Sequence, residues 1–249
     1  MIIIKSQNEI KKIAESCRIV AEVLESLKSF VKEGVSTAEI EGFVEGQILK
    51  KKAIPAFKGY RGYPSSVCLS VNDRVVHGIP SSRIELKRGD IISVDLGVLL
   101  NGFYGDAAIT LPVGEISEDA KRLLRVTEEA LYIGISKAVV GNRVSDISSA
   151  IQQHVETSGF SVVRAFVGHG IGRFLHEDPQ VPNFGAPGKG VRLREGMTIA
   201  IEPMVNAGSP DVRILDDGWT AVTADGSLSA HFEHTIAITK NNPLILTKI

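Results

Sequence analysis

Two ten-residue segments, Leu86-Lys-Arg-Gly-Asp-Ile-Ile-Ser-Val-Asp95 and Leu193-Arg-Glu-Gly-Met-Thr-Ile-Ala-Ile-Glu202, align without a gap at an offset of 107 positions. Each drives an apolar, β-prone run into a single acid. An ionised carboxylate placed among core residues is expensive to bury unless a cation compensates it. A chain that carries this pattern twice must fold so that positive charge meets both acids. Each half then supplies a second acid followed by small and β-branched residues, Asp106-Ala-Ala-Ile-Thr and Glu233-His-Thr-Ile-Ala-Ile-Thr.

Helix starts repeat in the same way. Serines suited to helix capping fall at positions 6 and 36 and again at 117 and 145, offsets of 111 and 109. Ser6 and Ser36 are each followed three residues later by glutamate, the capping-box spacing. Ile10, Ile13, Cys17, Val20, Leu24, Leu27 and Val31 then recur every three or four residues, an amphipathic helix expected to stop at Gly34. The second helix bears Ile40, Phe43, Val44 and Ile48 and runs out at Lys50-Lys51-Lys52, read as a solvated end. Leu123, Val126, Leu131 and Ile135 mark a third helix closed by Gly141, and Ser145 starts a fourth closed by Gly159. Strand-like runs are expected at 91–96, 103–111, 198–201 and 232–239.

A period near 109 residues is too long for a solenoid. It predicts two αα-plus-strand halves, residues 1–112 and 113–249, merged in one domain around a central curved antiparallel sheet, with their acids facing across a pseudo-two-fold axis. Strands and helices do not alternate regularly, so the expected class is α+β rather than doubly wound α/β.

The charge total narrows the partners. Lys plus Arg number 28 against 29 Asp plus Glu, so no chain-wide field favours nucleic acid or an anionic membrane. No apolar run approaches the roughly 20 residues of a membrane span, and the apolar start is too short for a signal peptide. Only Cys17 and Cys68 occur, without a CxxC, so neither a disulfide framework nor a thiolate zinc site is written here. The expectation is a soluble cytoplasmic protein with reduced thiols.

Lys and Arg are scarce in the acid-bearing runs, which favours metal over ion pairing as the compensating charge. Histidines sharpen this reading. His77 and His169 each occur as His-Gly-Ile, and His176 follows seven residues after His169. Gly168, Gly170 and Gly172 argue against a helix there and for an extended segment that approaches a site closely. His231 shares strand parity with Glu233 and is a candidate to support it, whereas His154 and His234 read as structural. His176-Glu-Asp-Pro-Gln180 lacks the second histidine of HExxH, and nucleophile-elbow, P-loop and Rossmann spacings are absent. Four carboxylates with at least one histidine form an oxygen-rich set suited to divalent Mn, Fe or Co.

In these residues the chain resembles the type I methionine aminopeptidases, whose fold is the pita-bread fold. The likeness spans essentially the whole chain. Asp95, Asp106, His169, Glu202 and Glu233 follow the family's ligand order at gaps of 11, 63, 33 and 31 residues. They sit in Val-Asp-Leu-Gly, Gly-Asp-Ala-Ala, Gly-His-Gly-Ile-Gly, Ile-Glu-Pro-Met and His-Phe-Glu-His-Thr. The resemblance implies two divalent ions (Co, Mn, Fe or Zn), with Asp95 on one, His169 and Glu202 on the other, and Asp106 and Glu233 bridging. It implies a bridging hydroxide that attacks the first peptide bond, with Glu202 moving its proton, His176 donating to the carbonyl oxygen and His77 contacting the scissile nitrogen.

By the same resemblance, Phe57, Tyr60, Tyr63, Cys68, Leu175 and Trp219 wall an apolar pocket for a methionine side chain. Phe57 and Leu175 depart from many relatives, which carry Cys and Phe there. The implied substrates are nascent polypeptides whose initiator methionine precedes a small residue, met near the ribosome through a transient contact for which Lys50 to Lys52 are the candidates. A monomer is expected. The competing readings are an Xaa-Pro aminopeptidase or prolidase on the same fold, and a non-catalytic pita-bread binding module.

Overall fold

A computed structural model describes residues 2–248. The first half holds helices α1 (Gln7–Phe30) and α2 (Thr37–Lys50), with strands β1 (Ile54–Pro55), β2 (Cys68–Val71), β3 (Arg74–Val76), β4 (Ile91–Leu100) and β5 (Phe103–Pro112). The second holds α3 (Glu118–Ser136) and α4 (Val144–Thr157), then β6 (Ser161–Val162), β7 (Gly168–Gly170), β8 (Glu177–Val181), β9 (Thr198–Ile201) and β10 (Met204–Asn206). It closes with β11 (Val212–Ile214), β12 (Ala221–Thr223), β13 (Ser229–His231), β14 (His234–Ala237) and β15 (Leu244–Ile245).

Both expected capping boxes form. Ser6 and Ser36 each accept the N–H of the glutamate three residues on, and each glutamate side chain accepts the serine N–H. Ser117 caps α3 by accepting from Ala120. The fourth start differs from expectation. The cap of α4 is Arg143, and Ser145 lies inside the first turn. Asp146 takes over the capping bond, accepting the Arg143 N–H at 2.7 Å, and Ser145 is thereby free to donate to the Lys189 carbonyl. Glycine marks the helix ends less closely than expected, since α1 and α3 stop at Phe30 and Ser136, short of Gly34 and Gly141.

Every strand pair is antiparallel. β4 and β5 form a long hairpin closed at Asn101-Gly102, both at positive φ (51° and 78°), the backbone that a two-residue turn of Asn-Gly adopts readily. In the second half the ladder runs β15-β14-β9-β7-β8. Here the acids are not inside strands as expected: Glu202 falls in the two-residue break between β9 and β10, and Glu233 in the break between β13 and β14. At the first break the chain passes from the β9–β14 ladder to the β10–β13 ladder, and at the second it passes back. Pro203, lacking an N–H, suits such a crossing.

Two apolar clusters carry the halves. One joins α1 and α2 to β2, β4 and β5 through Val20, Leu27, Ile40, Leu69, Val94, Leu96 and Leu111. The other joins α3 and α4 to β9 and β14 through Leu123, Ile147, Ile151, Ile199 and Ile236, and Ile109 packs against both. β5 is stitched to the second half by polar bonds. Thr110 Oγ1 donates to the His231 carbonyl, Thr235 Oγ1 donates to the Asp106 carbonyl, and the Glu233 N–H reaches Ala108 O. These bonds bring the acids of the two halves onto one surface.

Candidate metal centre

Register explains the first pair of acids. Asp95 lies opposite Ala108 and Gly97 opposite Asp106, so both aspartates project from the same face of the hairpin as diagonal neighbours. Cys68 lies opposite Asp95 on the other side, from β2. Glu202 follows Ile201 and Glu233 precedes His234, the residues that open the β9–β14 ladder. The second pair therefore faces the first across the stitched seam.

His169 enters through β7. Gly168 and Gly170 on either side of it let the neighbouring backbones close in: a Cβ at Gly168 would lie 2.4 Å from Ala200 O, and one at Gly170 would lie 2.2 Å from Asp178 O. The segment is extended, as the glycine spacing predicts. His169 Nδ1 pairs with the Gly170 carbonyl at 2.9 Å, which directs Nε2 to the acids, 3.6 Å from Glu202 Oε1 and 3.9 Å from Asp106 Oδ2.

One cavity of about 180 Å³ is lined by Asp95, Asp106, His169, Glu202 and Glu233 together with His77 and His176. Asp106 and Glu233 are buried, each 3% exposed, and Asp95 and Glu202 are half-buried where the cavity reaches them. Among the described residues, no lysine or arginine pairs with any of the four. Asp95 Oδ1, Asp106 Oδ1 and Glu233 Oε1 are shielded from solvent and accept no hydrogen bond. Burial accordingly pushes Asp95 up to about 7. Asp106, Glu202 and Glu233 rise well above the carboxylate range, first through burial and then through one another's charge.

Burial acts in the opposite sense on the imidazoles, lowering His169 to about 4 and His176 and His231 to about 3, and His77 below its ordinary value. The centre thus combines crowded carboxylates with neutral histidines, and neither neutralises the other. Donor atoms of Asp106, His169 and Glu233 lie within 4.8 Å of one another. Unpaired carboxylate oxygens and a neutral imidazole nitrogen are the donors that a divalent cation takes, so the residues present fit a metal site. His231 stands behind, its Nε2 3.8 Å from Glu202 Oε2. His234 turns away to Thr247 and Tyr132, and His154 pairs with Glu129.

The opposite wall of the cavity is apolar. Phe57, Tyr63, Cys68 and Leu175 are buried together with Ile171, and Tyr60 and Trp219 pack against them. Tyr63 donates to the Gly78 carbonyl and meets Trp219 edge-on, while Tyr60 hydrogen-bonds His176 Nδ1 at 2.8 Å. His77 sits at φ 59°, an uncommon backbone for a non-glycine residue that recurs at functional sites. Its ring stands edge-on to Phe166. Arg61, unmarked in the sequence reading, also lines the cavity. The signal was a lone cation inside Gly59-Tyr-Arg-Gly-Tyr63, between two pocket aromatics.

Comparison with known proteins agrees with this geometry. A family model described as metallopeptidase family M24 matches residues 11–240. The chain is 58% identical over 249 residues to the methionine aminopeptidase of Clostridium perfringens, covering all of both chains. The crystal structure of methionine aminopeptidase from Thermotoga maritima superposes with a TM-score of 0.99 at 51% identity, again over the full length of both. The prolidase from Pyrococcus horikoshii shares the fold at a TM-score of 0.79 but only 26% identity, and this chain covers 63% of that one. The α+β pita-bread expectation is met, and the chain belongs to metallopeptidase family M24, on the branch of the methionine aminopeptidases.

Proposed function

We propose that this chain is a dinuclear metal-dependent aminopeptidase that removes the initiator methionine of nascent polypeptides when the second residue is small. The observation that carries the reading is the convergence of four uncompensated carboxylates and His169 on one wall of a cavity whose other wall is apolar. Asp95, Asp106, His169, Glu202 and Glu233 would hold the two ions. Bound there, the ions (Co, Mn, Fe or Zn) lower the pKa of water and polarise the scissile carbonyl.

The remaining work falls to the side chains. Glu202, on the wall of the cavity, is the carboxylate that takes a proton from water and passes it on. His176 is neutral, and in this reading it takes the tautomer in which Nδ1 accepts from the Tyr60 hydroxyl 2.8 Å away and Nε2 carries the proton donated to the carbonyl oxygen as negative charge develops. His77, neutral and confined by Phe166, contacts the scissile amide nitrogen. Phe57, Tyr60, Tyr63, Cys68, Leu175 and Trp219 enclose the methionine side chain, an unbranched thioether that fills an irregular apolar site well.

The same reading makes the chain one catalytic domain of duplicated halves, a cytoplasmic monomer that meets its substrates near the ribosome. No helix among the described residues is long and apolar enough to cross a membrane.

One peptide panel on metal-reconstituted protein tests the proposal. Met-Ala-Ser is expected to release methionine rapidly, whereas Met-Lys-Ser and Ala-Pro-Ser resist. Preferential cleavage of Ala-Pro-Ser assigns the chain to the proline-specific branch. Cleavage of none of the three with Mn, Fe or Co assigns it to the non-catalytic binding module.

A further inference from the structure

The turn that carries His176 rests on a buried ion pair that the reaction scheme leaves unused. Lys5, in the extended segment before α1, places Nζ 2.5 Å from Glu177 Oε2, and the two side chains are 2% and 3% exposed. The other oxygen of Glu177 accepts the Phe174 N–H at 3.1 Å, which closes the chain around Leu175 and His176. Lys5 is anchored in turn by its own N–H, which donates to Gly196 O at 2.8 Å. Gly172 leaves the space that the pair fills: a Cβ there would lie 2.6 Å from Lys5 Cε and 2.9 Å from Glu177 Oε1. The Gly172 carbonyl accepts the Tyr104 N–H, tying this turn to β5 and so to the aspartates.

A buried ion pair gives little net stability over apolar residues of the same volume, and one attested use of such a pair is to fix one arrangement among several. The arrangement fixed here is that of His176. Its ring stands 4.3 Å from the His169 ring between centroids and hydrogen-bonds Tyr60 through Nδ1, while its backbone belongs to the turn that the Lys5–Glu177 pair closes. We propose that Lys5 and Glu177 are positioning residues, a buried strap from the amino-terminal segment that holds the 172–177 turn so that His176 faces the reacting carbonyl. This inference rests on the reading of the site given under Proposed function.

The Lys5→Met/Glu177→Gln double variant removes both charges at near-constant volume and leaves no unpaired buried ion. Measured per folded, metal-loaded chain on Met-Ala-Ser, its kcat is expected to fall about tenfold or more. KM should stay within twofold and metal content should equal wild type. Gly172→Ala keeps both charges but displaces the pair, and its kcat should fall in the same direction. An unchanged kcat in both variants, or a loss that merely tracks lost metal or lost folded protein, overturns the inference. Wild-type protein assayed alongside separates the two readings. Failure of wild type to release methionine overturns the function and this inference together, whereas wild-type release matched by both variants overturns the inference alone.

Discussion

His77, His169, His176 and His231 are all neutral for the same reason, burial, yet their surroundings divide them. His169 Nε2 points among carboxylates, His176 is held by a phenol, and His77 faces aromatic edges. His77→Ala is therefore expected to keep its full metal complement while kcat falls about 100-fold, in the range of a lost proton-transfer partner. Elemental analysis beside steady-state kinetics checks this, and a stripped metal would show that His77 is a ligand. Asp95 and Glu202 were readable in sequence because each closes an apolar run, where an ionised carboxylate is costly without compensation, and Asp106 and Glu233 because each opens a strand-like run that recurs in both halves. The roles proposed for His77 and His176 were not readable from spacing and rest on resemblance, since a histidine beside glycine states only that the backbone comes close. Arg61 escaped notice because nothing in a glycine-rich loop tells which way its residues face.

At the scale of elements, the site depends on strands that approach more closely than side chains allow. Gly170→Ala would set a methyl 2.2 Å from the Asp178 carbonyl, so β7 and β8 must separate and carry His169 with them. Overpacking of this kind costs about 1–3 kcal/mol, to be read from denaturant unfolding of the metal-free protein, and metal affinity should fall alongside. Native stability with native affinity would mean that the ladder yields elsewhere. Helices α1 to α3 were readable because periodicity and capping residues agree. The start of α4 was missed because its cap, Arg143, offers no capping side chain and the bond is made in reverse, Asp146 accepting the Arg143 N–H, while the better-looking Ser145 pairs with Lys189. The breaks at Glu202 and Glu233 were hidden for another reason: strand-like residues resume directly after each, at Met204 to Asn206 and at His234 to Ala237, so the change of ladder leaves no mark in the pattern.

Across the whole molecule, a formal charge of -1 conceals a concentrated negative centre stitched between two halves, and this couples metal, pH and stability. The site acids bind protons more tightly folded than unfolded, so metal-free stability falls as pH rises through their folded values. The depressed histidines work in the opposite direction, but only up to their ordinary value near 6.5. Above about pH 6.5 the carboxylates act alone, and metal-free protein should lose stability toward pH 8. The gain in Tm on adding Mn should then be larger at pH 8 than at pH 6.5; an equal or smaller gain would mean that cations inside the fold already neutralise the acids. The central claim, that Asp95, Asp106, His169, Glu202 and Glu233 form one dinuclear centre, is tested most directly by calorimetric titration of metal-free protein with Mn, beside the Asp106→Asn variant. Two equivalents per wild-type chain are expected, with both sites at least about tenfold weaker in the variant, the order of loss for a disturbed metal site. A single equivalent in wild type, or intact two-site binding in Asp106→Asn, would contradict it.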